Sequence, residues 1–372
     1  MIYLDNAATT LRKPPTVAAA VCEALRRCAN PGRGDHPAAR AAAETVFGAR
    51  ALAAELFGAE PEQVVFTMNA THGLNLAIRT LVRPGDRVVV SGFEHNAVIR
   101  PLAALGAKTV AVSGFLFQPE QTLAGFRAAV TPDTRAVVVN HVSNVFGYIQ
   151  PLGEIAVLCR ERGVPLIVDA SQSAGAFPLS LRGLGAAFIA MPGHKGLYGP
   201  QGTGLLLCGR LPEPLLYGGT GSLSRQTQMP DFLPDRAEAG TLNVPGIAGL
   251  AAGLRFVKRR GTDAILRHES RLRDRLCSAL REEGLRVFSG EQMQSGVVSF
   301  CREGVDCEAL AEAYAQRGIA VRAGLHCAPL AHRSAGTEET GTVRASVSAM
   351  NTPAEIEAFV RATREILKKT ER

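Results

Sequence analysis

The stretch around Lys195 combines a lysine, an adjoining histidine and several glycines, in the order Met191-Pro192-Gly193-His194-Lys195-Gly196-Leu197-Tyr198-Gly199. The sequence contains six lysines; this one lies in a semi-apolar loop, and the other five are expected in polar or chain-end settings. Loss of hydration lowers the pKa of a lysine amine, so more of the amine is neutral, and the neutral amine is the form that condenses with an aldehyde. Lys195 is therefore a candidate Schiff-base lysine. A surface lysine in a tight turn is the alternative.

Three more polar residues follow apolar runs. Asp169 ends Leu166-Ile167-Val168, where a carboxylate is costly unless a cation such as a protonated pyridine nitrogen pairs with it. Thr71, after Ala70, lies at the start of a predicted helix, whose free N–H groups bind anions such as phosphate. His95 could stack on a flat ring. The alternatives are a helix N-cap for Asp169 and Thr71, and an ordinary hydrogen-bonded histidine at position 95.

These residues must be positioned by an alternation of short apolar runs and longer helical patterns. The predicted strands are Val64–Thr67, Arg87–Ser91, Lys108–Val112, Ala136–Asn140, Pro165–Asp169 and Ala186–Met191; the predicted helices are Leu74–Val82, Asn96–Leu105, Glu120–Val130 and Leu152–Arg162. Buried strands separated by helices indicate an α/β fold with a mostly parallel sheet covered on both faces. Ligands of such sheets bind beyond the carboxyl ends of the strands. We therefore expect five strand ends to converge on one rim.

The pattern changes near residue 245. Long helices are predicted at Val244–Arg260 and Thr262–Glu283, strands at Val297–Cys301, Ile319–Arg322 and Thr342–Ser348, and a last helix from Thr352. We expect a large domain over residues 16–255 and a smaller one over 256–372, with residues 1–15 packing on the smaller domain.

Composition excludes several classes of protein. The 372 residues are 46 % apolar and 20 % charged, which is ordinary for a globular protein with about two domains. No run approaches a membrane span or a secretory leader, and the eight cysteines form no CxxC pair, so a cytoplasmic protein without a metal site is expected. The net charge is +7, and the densest basic run, Lys258-Arg259-Arg260 followed by Arg267 to Arg275, is interrupted by acidic residues and repeats at helical spacing. This pattern favours a solvated helix face over a nucleic-acid surface.

An ordered set of motifs extends along nearly the whole chain: Tyr3-Leu4-Asp5-Asn6-Ala7-Ala8-Thr9-Thr10, Glu94-His95-Asn96, His141-Val142-Ser143-Asn144, Val168-Asp169-Ala170-Ser171-Gln172, Gly193-His194-Lys195, Glu238-Ala239-Gly240-Thr241 and Gly341-Thr342-Val343-Arg344-Ala345-Ser346. Each motif is weak alone. Together they resemble the class V aminotransferase family, and within it the cysteine desulfurases.

The resemblance implies a homodimeric α/β enzyme of the fold-type I class, which depends on pyridoxal 5′-phosphate. It implies the following residue roles: Lys195 holds the cofactor, Asp169 contacts the pyridine nitrogen, His95 stacks on the ring, Gln172 lies near the phenolic oxygen, Ala70, Thr71 and His194 bind the phosphate, Thr241 reaches the phosphate of the neighbouring subunit, and Asn144 and Arg344 bind the substrate carboxylate. The guanidinium fork of an arginine suits a carboxylate.

Cys327 lies in the loop Arg322-Ala323-Gly324-Leu325-His326-Cys327, which is similar to the loop of the short-loop, SufS-like group. The resemblance implies that its thiolate takes sulfur from L-cysteine as a persulfide, releases alanine and delivers the sulfur to an acceptor protein. His326 and Arg322 could favour the thiolate. A structural cysteine at a sheet edge is the alternative.

The chain departs from the family at several places. Met191-Pro192 stands where many relatives have a phosphate-binding serine, His72 replaces a common glutamate, and Leu325 replaces the first histidine of a His-His-Cys motif. Arg33 or His36 could line the substrate entrance, or belong to a turn between helices.

Other functions remain open at this point. A selenocysteine lyase, a transaminase or an epimerase of the same superfamily would use the same lysine, although a transaminase has no need of Cys327. A nicotinamide-dependent oxidoreductase is disfavoured because no strand-linked GxGxxG precedes an acidic residue. A scaffold without activity is disfavoured by Lys195, Asp169 and Cys327.

Overall fold

A computed structural model describes residues 1–32, 34–114 and 116–370. The strands within these residues are β1 (Ile2–Tyr3), β2 (Val64–Thr67), β3 (Arg87–Ser91), β4 (Lys108–Val112), β5 (Thr134–Asn140), β6 (Leu166–Asp169), β7 (Phe188–Pro192), β8 (Gly204–Cys208), β9 (Arg286–Phe288), β10 (Val297–Cys301), β11 (Ile319–Ala320), β12 (Arg322–Gly324) and β13 (Thr342–Ser346).

The helices in the same ranges are α1 (Pro15–Arg27), α2 (Pro37–Phe57), α3 (Ala70–Leu81), α4 (Asn96–Ala104), α5 (Pro119–Ala129), α6 (Leu152–Glu161), α7 (Leu181–Leu184), α8 (Val244–Arg260), α9 (Thr262–Glu282), α10 (Cys307–Ala315), α11 (Pro329–Ala335) and α12 (Pro353–Thr370). Among these described helices, none combines the length and hydropathy that a membrane span requires.

A seven-stranded sheet in the order β2-β8-β7-β6-β5-β3-β4 forms the centre of the larger part of the chain. Only β8 among its strands runs antiparallel to its neighbours. Successive residues of the strands alternate between two cores: Val137 and Val139 pack with α2, α6 and α8, whereas Ala136 and Val138 pack with α3 and α4. The expected α/β fold with a mostly parallel sheet covered on both faces is confirmed.

A second sheet, in the antiparallel order β12-β13-β10-β9, packs with α9, α10 and α12 around another core. Leu4 is fully buried in that core, and β1 pairs in parallel with β11. The N-terminal strand therefore lies against the C-terminal part of the chain. The division at residues 255 and 256 stays a prediction.

Some element boundaries differ from the sequence expectation. Helix α3 begins four residues before Leu74, because the Asn69 side chain accepts a hydrogen bond from the His72 backbone and caps the helix there. The single strand predicted over 319–322 is two strands, since β11 pairs with β1 while β12 pairs with β13. Strand β8 and helices α1 and α2 are not among the elements expected from the sequence; in α2 many alanines weaken the apolar periodicity.

A buried ion pair joins α2 to the segment that precedes Thr241. Arg50 contacts Glu238 through two nitrogens at 2.9 and 2.8 Å, and the two side chains are only 8 % and 6 % exposed. Glu238 also accepts a hydrogen bond from the backbone of Phe66 in β2 at 2.6 Å. The pair therefore fixes this segment against the edge of the sheet.

Replacement of Arg50 by methionine leaves the Glu238 carboxylate buried without its cation. We expect Arg50→Met to lower the free energy of unfolding by about 3–5 kcal/mol, measured by urea denaturation. The matched control is Arg182→Met, because the Arg182–Glu60 pair is 75 % and 61 % exposed. It should cost less than about 1 kcal/mol. Equal losses of unfolding free energy in the two variants would show that burial does not increase the contribution of the Arg50–Glu238 pair to stability.

Candidate active site

A cleft of about 500 Å³ lies at the carboxyl edge of the parallel strands. Its walls include Asn69, Ala70, Thr71, His95, Asn140, Asn144, Asp169, Ser171, Gln172, His194 and Lys195. The expected convergence of five strand ends on one rim is confirmed, since Thr71, His95, Asn144, Asp169 and Lys195 all line this cleft.

Lys195 follows β7 and is half-buried at the cleft wall. Burial lowers the pKa of its amine from 10.5 to about 8, and the nearby Arg344 guanidinium acts in the same direction. The carboxylates of Asp169 and Asp5 oppose this shift. About a tenth of the amine is therefore uncharged at pH 7, far more than for an ordinary lysine, and the uncharged amine is the nucleophile.

The backbone that carries Lys195 is held by the N-terminal segment. The carbonyl oxygen of His194 accepts hydrogen bonds from the hydroxyls of Thr9 at 3.2 Å and Thr10 at 3.0 Å, and from Lys13 Nζ at 2.8 Å. The Thr10 backbone N–H donates to the same oxygen at 3.1 Å. This peptide group is therefore fixed from several directions.

Lys13 corrects one expectation from the sequence. It is not in a solvated polar setting, because burial lowers the pKa of its amine to about 8 and its Nζ contacts the His194 carbonyl. Sequence reasoning missed Lys13 and Asp5. The motif Tyr3 to Thr10 contains Asp5 but assigns it no role, and Lys13 lies three residues beyond that motif.

His194 points its ring toward Thr9, with Nδ1 and the Thr9 hydroxyl 3.0 Å apart. Burial lowers the pKa of the imidazole to about 4, and the amines of Lys195 and Lys13 add to the effect. His194 is therefore neutral at physiological pH and has a single ring N–H to donate.

Asp169 is 4 % exposed, and its Oδ1 accepts a hydrogen bond from the Ser171 backbone at 2.9 Å. The N-cap interpretation of Asp169 is wrong, because turns rather than a helix follow it. Within the described ranges, Asp169 has no ion-pair partner. A nearly buried carboxylate at a cleft wall without a cation in contact is a site prepared for a positively charged group.

The N-terminus of α3 faces the same cleft through Ala70 and Thr71. Asn69 already caps the helix, so the Thr71 hydroxyl is not needed for capping. Helix α3 thus offers free backbone N–H groups and a hydroxyl to an anion.

His95 caps α4, with Nδ1 accepting from the Ala97 backbone at 3.0 Å. Since Nδ1 is the acceptor, the proton of the neutral ring lies on Nε2. Burial lowers the pKa of this imidazole, whereas the Asp169 carboxylate raises it. His95 is both a satisfied polar residue and a wall of the cleft.

Gln172 and Asn144 are each held by one backbone contact. Gln172 donates to the Ala7 carbonyl at 2.9 Å, and Asn144 donates to the His326 carbonyl at 2.8 Å. Asn144 Oδ1 is buried and has no hydrogen-bond partner in the described part of the chain. It remains able to accept a hydrogen bond from a ligand.

Arg344 in β13 is 2 % exposed and is not in the wall of the cleft. Its guanidinium pairs with Asp5 at 2.7 Å and donates to the Asn144 carbonyl at 2.9 Å. The sequence did not predict this carboxylate partner. Arg322 lies directly across from Arg344 in the register of β12 and β13.

Cys327 is exposed and lies beside the start of α4, because its carbonyl accepts from the Asn96 backbone at 2.8 Å. Both His326 and Cys327 have left-handed backbone, with φ of 51° and 58°. Such conformations are unfavourable for residues other than glycine, so the surrounding contacts must enforce the turn. This turn leaves the Cys327 thiol exposed to solvent beside the wall of the cleft that His95 forms.

The expectation that His326 favours the Cys327 thiolate is wrong. The His326 ring is buried and contacts the Thr342 carbonyl at 3.2 Å, and burial lowers its pKa to about 2. A neutral imidazole supplies no positive charge to a neighbouring thiol. Arg322 is exposed.

The remaining candidates lie elsewhere. Thr241 lines a second groove together with Phe47 and Glu238, not the cleft. His36 accepts from the Ala39 backbone and caps α2, which favours a turn between helices over the substrate entrance. Arg33 lies outside the described residues.

Among the residues that the structure does describe, no cluster of histidine, cysteine and acidic side chains has the geometry of a metal site.

Comparisons with known proteins agree along nearly the whole chain. The family model described as Aminotransferase class-V matches residues 2–359. A probable cysteine desulfurase from Methanothermobacter thermautotrophicus is 34 % identical over 382 residues, which cover 98 % of this chain and 94 % of the relative.

Solved structures give the same picture. The apo cysteine desulfurase from Thermococcus onnurineus is 33 % identical, with a TM-score of 0.91 over 99 % of this chain and 95 % of that one. The cysteine desulfurase CsdA from Escherichia coli is 29 % identical, with a TM-score of 0.85 over 98 % and 94 % of the two chains. The similarity therefore includes both sheets and the cleft.

The lowered pKa of Lys195 can be tested on the ligand-free protein. We expect the rate of imine formation with pyridoxal 5′-phosphate, followed by visible absorbance, to rise with pH around a midpoint of about 8, because the uncharged amine is the nucleophile. Lys195→Ala serves as the control and reveals any contribution from Lys13. A midpoint near the ordinary value of 10.5 would show that the cleft does not desolvate the amine.

Proposed function

The chain belongs to the class V aminotransferase family, and from this premise we propose that it is a cysteine desulfurase, which converts L-cysteine to L-alanine and takes the sulfur onto Cys327. One observation carries the proposal: Lys195 and the Asp169 carboxylate line one cleft, and the exposed Cys327 lies beside its His95 wall. Relatives described as cysteine desulfurases support it.

The residues of the cleft fit pyridoxal 5′-phosphate, on which the family depends. The Asp169 carboxylate, nearly buried and without a cation in contact among the described residues, matches a protonated pyridine nitrogen. The N-terminus of α3, with Thr71, and the ring N–H of His194 match a phosphate. When bound, this group withdraws electrons from the substrate Cα and thereby allows chemistry at Cβ.

Lys195 would hold the aldehyde of the cofactor through its amine and, once displaced by substrate, would remove and return the proton at Cα. An amine with a pKa of about 8 suits both directions of that transfer at neutral pH. Gln172 and His95 would contact the ring from the cleft walls. Met191-Pro192 offers no hydroxyl to the phosphate, so the phosphate has one donor fewer than in many relatives.

Substrate recognition falls to Asn144 and Arg344. The guanidinium of Arg344 would donate hydrogen bonds to the α-carboxylate, and Asn144 is close to it, since Arg344 donates to the Asn144 backbone carbonyl. Asn144 would donate to the same carboxylate through Nδ2, in place of its contact with the His326 carbonyl. Arg344 and the exposed Arg322 across from it supply positive charge for an amino acid carboxylate, whereas Asp5 and Asp169 oppose it.

Cys327 would attack the sulfur of bound cysteine as a thiolate. An S–S bond forms as the Cβ–S bond of the substrate breaks, and Cβ takes a proton to become the methyl group of alanine. The product is a persulfide on an exposed loop, from which an acceptor protein can remove the outer sulfur.

Product analysis tests the proposal. We expect the purified protein with L-cysteine and a reductant to release alanine and sulfide in equal amounts. Cys327→Ser should keep the colour of the bound cofactor but lose at least about 99 % of sulfide release, because a hydroxyl does not displace carbon from sulfur.

Cys22→Ser is the matched control, because Cys22 is also exposed but lies on α1. It should retain the parent rate. Sulfide release by Cys327→Ser at the parent rate would refute the role of Cys327. Alanine without sulfide from L-cysteine, or turnover of L-selenocysteine alone, would exclude the desulfurase reaction.

The enzyme is a homodimer in this proposal, and Thr241 serves the phosphate site of the neighbouring subunit. Thr241 lines a groove in which Phe47 is 63 % exposed, so an apolar surface lies beside Thr241.

We expect sedimentation of the parent protein to give twice the chain mass of 39.3 kDa, and we expect Phe47→Glu to shift the sedimenting mass toward that of the monomer. Val157→Glu on α6, where Val157 is 43 % exposed, is the control. A monomeric parent protein would remove Thr241 from the site.

A further inference from the structure

The three nitrogens of the buried Arg344 guanidinium differ in their hydrogen-bond partners. One nitrogen pairs with Asp5 Oδ1 at 2.7 Å, and a second donates to the Asn144 carbonyl at 2.9 Å. Nε is buried and has no hydrogen-bond partner in the part of the chain that the structure describes. The guanidinium is thus neutralised by a protein carboxylate while one of its donors remains unused.

Asp5 differs from Arg344 in its access to water. Its side chain is 20 % exposed, whereas that of Arg344 is 2 % exposed. The backbone of Asp5 is fixed independently of its carboxylate, through a bridge to Ser346 and a hydrogen bond from the Tyr3 hydroxyl at 3.2 Å. The carboxylate can therefore turn toward solvent while the segment stays in place.

A ligand carboxylate at Arg344 would meet Asp5 as a like charge. Two carboxylates on one guanidinium repel each other unless one leaves or a further cation compensates. Arg322, directly opposite in the sheet, is such a cation, but it is exposed and screened by solvent. Binding of an amino acid must therefore weaken the Asp5–Arg344 contact.

We infer that Asp5 is an internal counterion that occupies Arg344 in the free enzyme and is exchanged for the carboxylate of the amino acid, so that it sets the affinity for substrate and product. The inference rests on the proposed role of Arg344. Asp5 acts through Arg344 and does not contact the reacting atoms, so it is a positioning residue. The exchange keeps the buried arginine paired throughout, and it opposes tight retention of alanine.

Asp5→Asn tests the exchange, since the amide keeps the shape and can still accept from Arg344 but carries no charge. We expect the holoenzyme variant to bind L-alanine about tenfold more tightly by titration calorimetry, because the competing anion is gone. The KM for L-cysteine should fall in parallel, and kcat should change much less. Asp5→Ser removes the same charge and replaces Asp5→Asn if that variant does not accumulate.

Two controls separate charge from structure. Tyr3→Phe loosens the same segment, since the Tyr3 hydroxyl also donates to the Thr9 carbonyl at 2.9 Å, but it keeps the Asp5 charge. It should leave the affinity for L-alanine unchanged. Ethylamine, which is alanine without its carboxylate, should bind the parent and Asp5→Asn equally.

Three outcomes would overturn the inference: no gain in L-alanine affinity without the Asp5 charge, the same gain in Tyr3→Phe, or the same gain for ethylamine. The effect should also vanish in an Arg344→Gln background, where no cation remains to exchange. Failure of the proposed function is a separate result, because absence of sulfide release from L-cysteine leaves L-alanine binding measurable.

Discussion

The desolvation of one amine beside one carboxylate is the constraint on which the rest of this site depends. The end of β7 places Lys195, and the end of the adjacent strand β6 places Asp169, at the edge where water is scarce. A parallel sheet makes this arrangement possible, because each strand delivers its last residue to the same side. The antiparallel β8 does not disturb it, since β2 beyond β8 again runs in the common direction and brings α3 to the cleft.

Much of this could be predicted from the sequence, because the central strands are continuous apolar runs and their polar ends are abrupt. Strands β3, β4 and β10 have the predicted limits, and helices α4 and α6 differ by one residue. The alanine-rich α2 could not be recognised in this way, because many small residues blur the apolar face on which a helix prediction relies.

The contacts that the sequence did not reveal are those between distant segments. Spacing along the chain cannot show that Lys13 reaches the His194 carbonyl or that Asp5 neutralises Arg344. The expectation for His326 failed for a related reason. Proximity in sequence to Cys327 suggested an electrostatic partner, whereas the left-handed turn sends the imidazole into the interior and the thiol to the surface.

The contacts of the first residues also determine when the site can form during synthesis. Asp5 and Arg344 are separated by 339 positions, and Asn6 bonds Asn351 across 345. Asp5 and Asn6 must therefore wait for these two partners until residues 344 and 351 have been synthesised, although Thr9, Thr10 and Lys13 can contact the His194 carbonyl much earlier. The large sheet can fold earlier from neighbouring βα units, but the contacts of Asp5 and Asn6 near the amino acid pocket form only after residues 344–351 have emerged. In a nascent chain of this protein, the loop around Lys195 would therefore fold well before the pocket that binds the substrate carboxylate is complete.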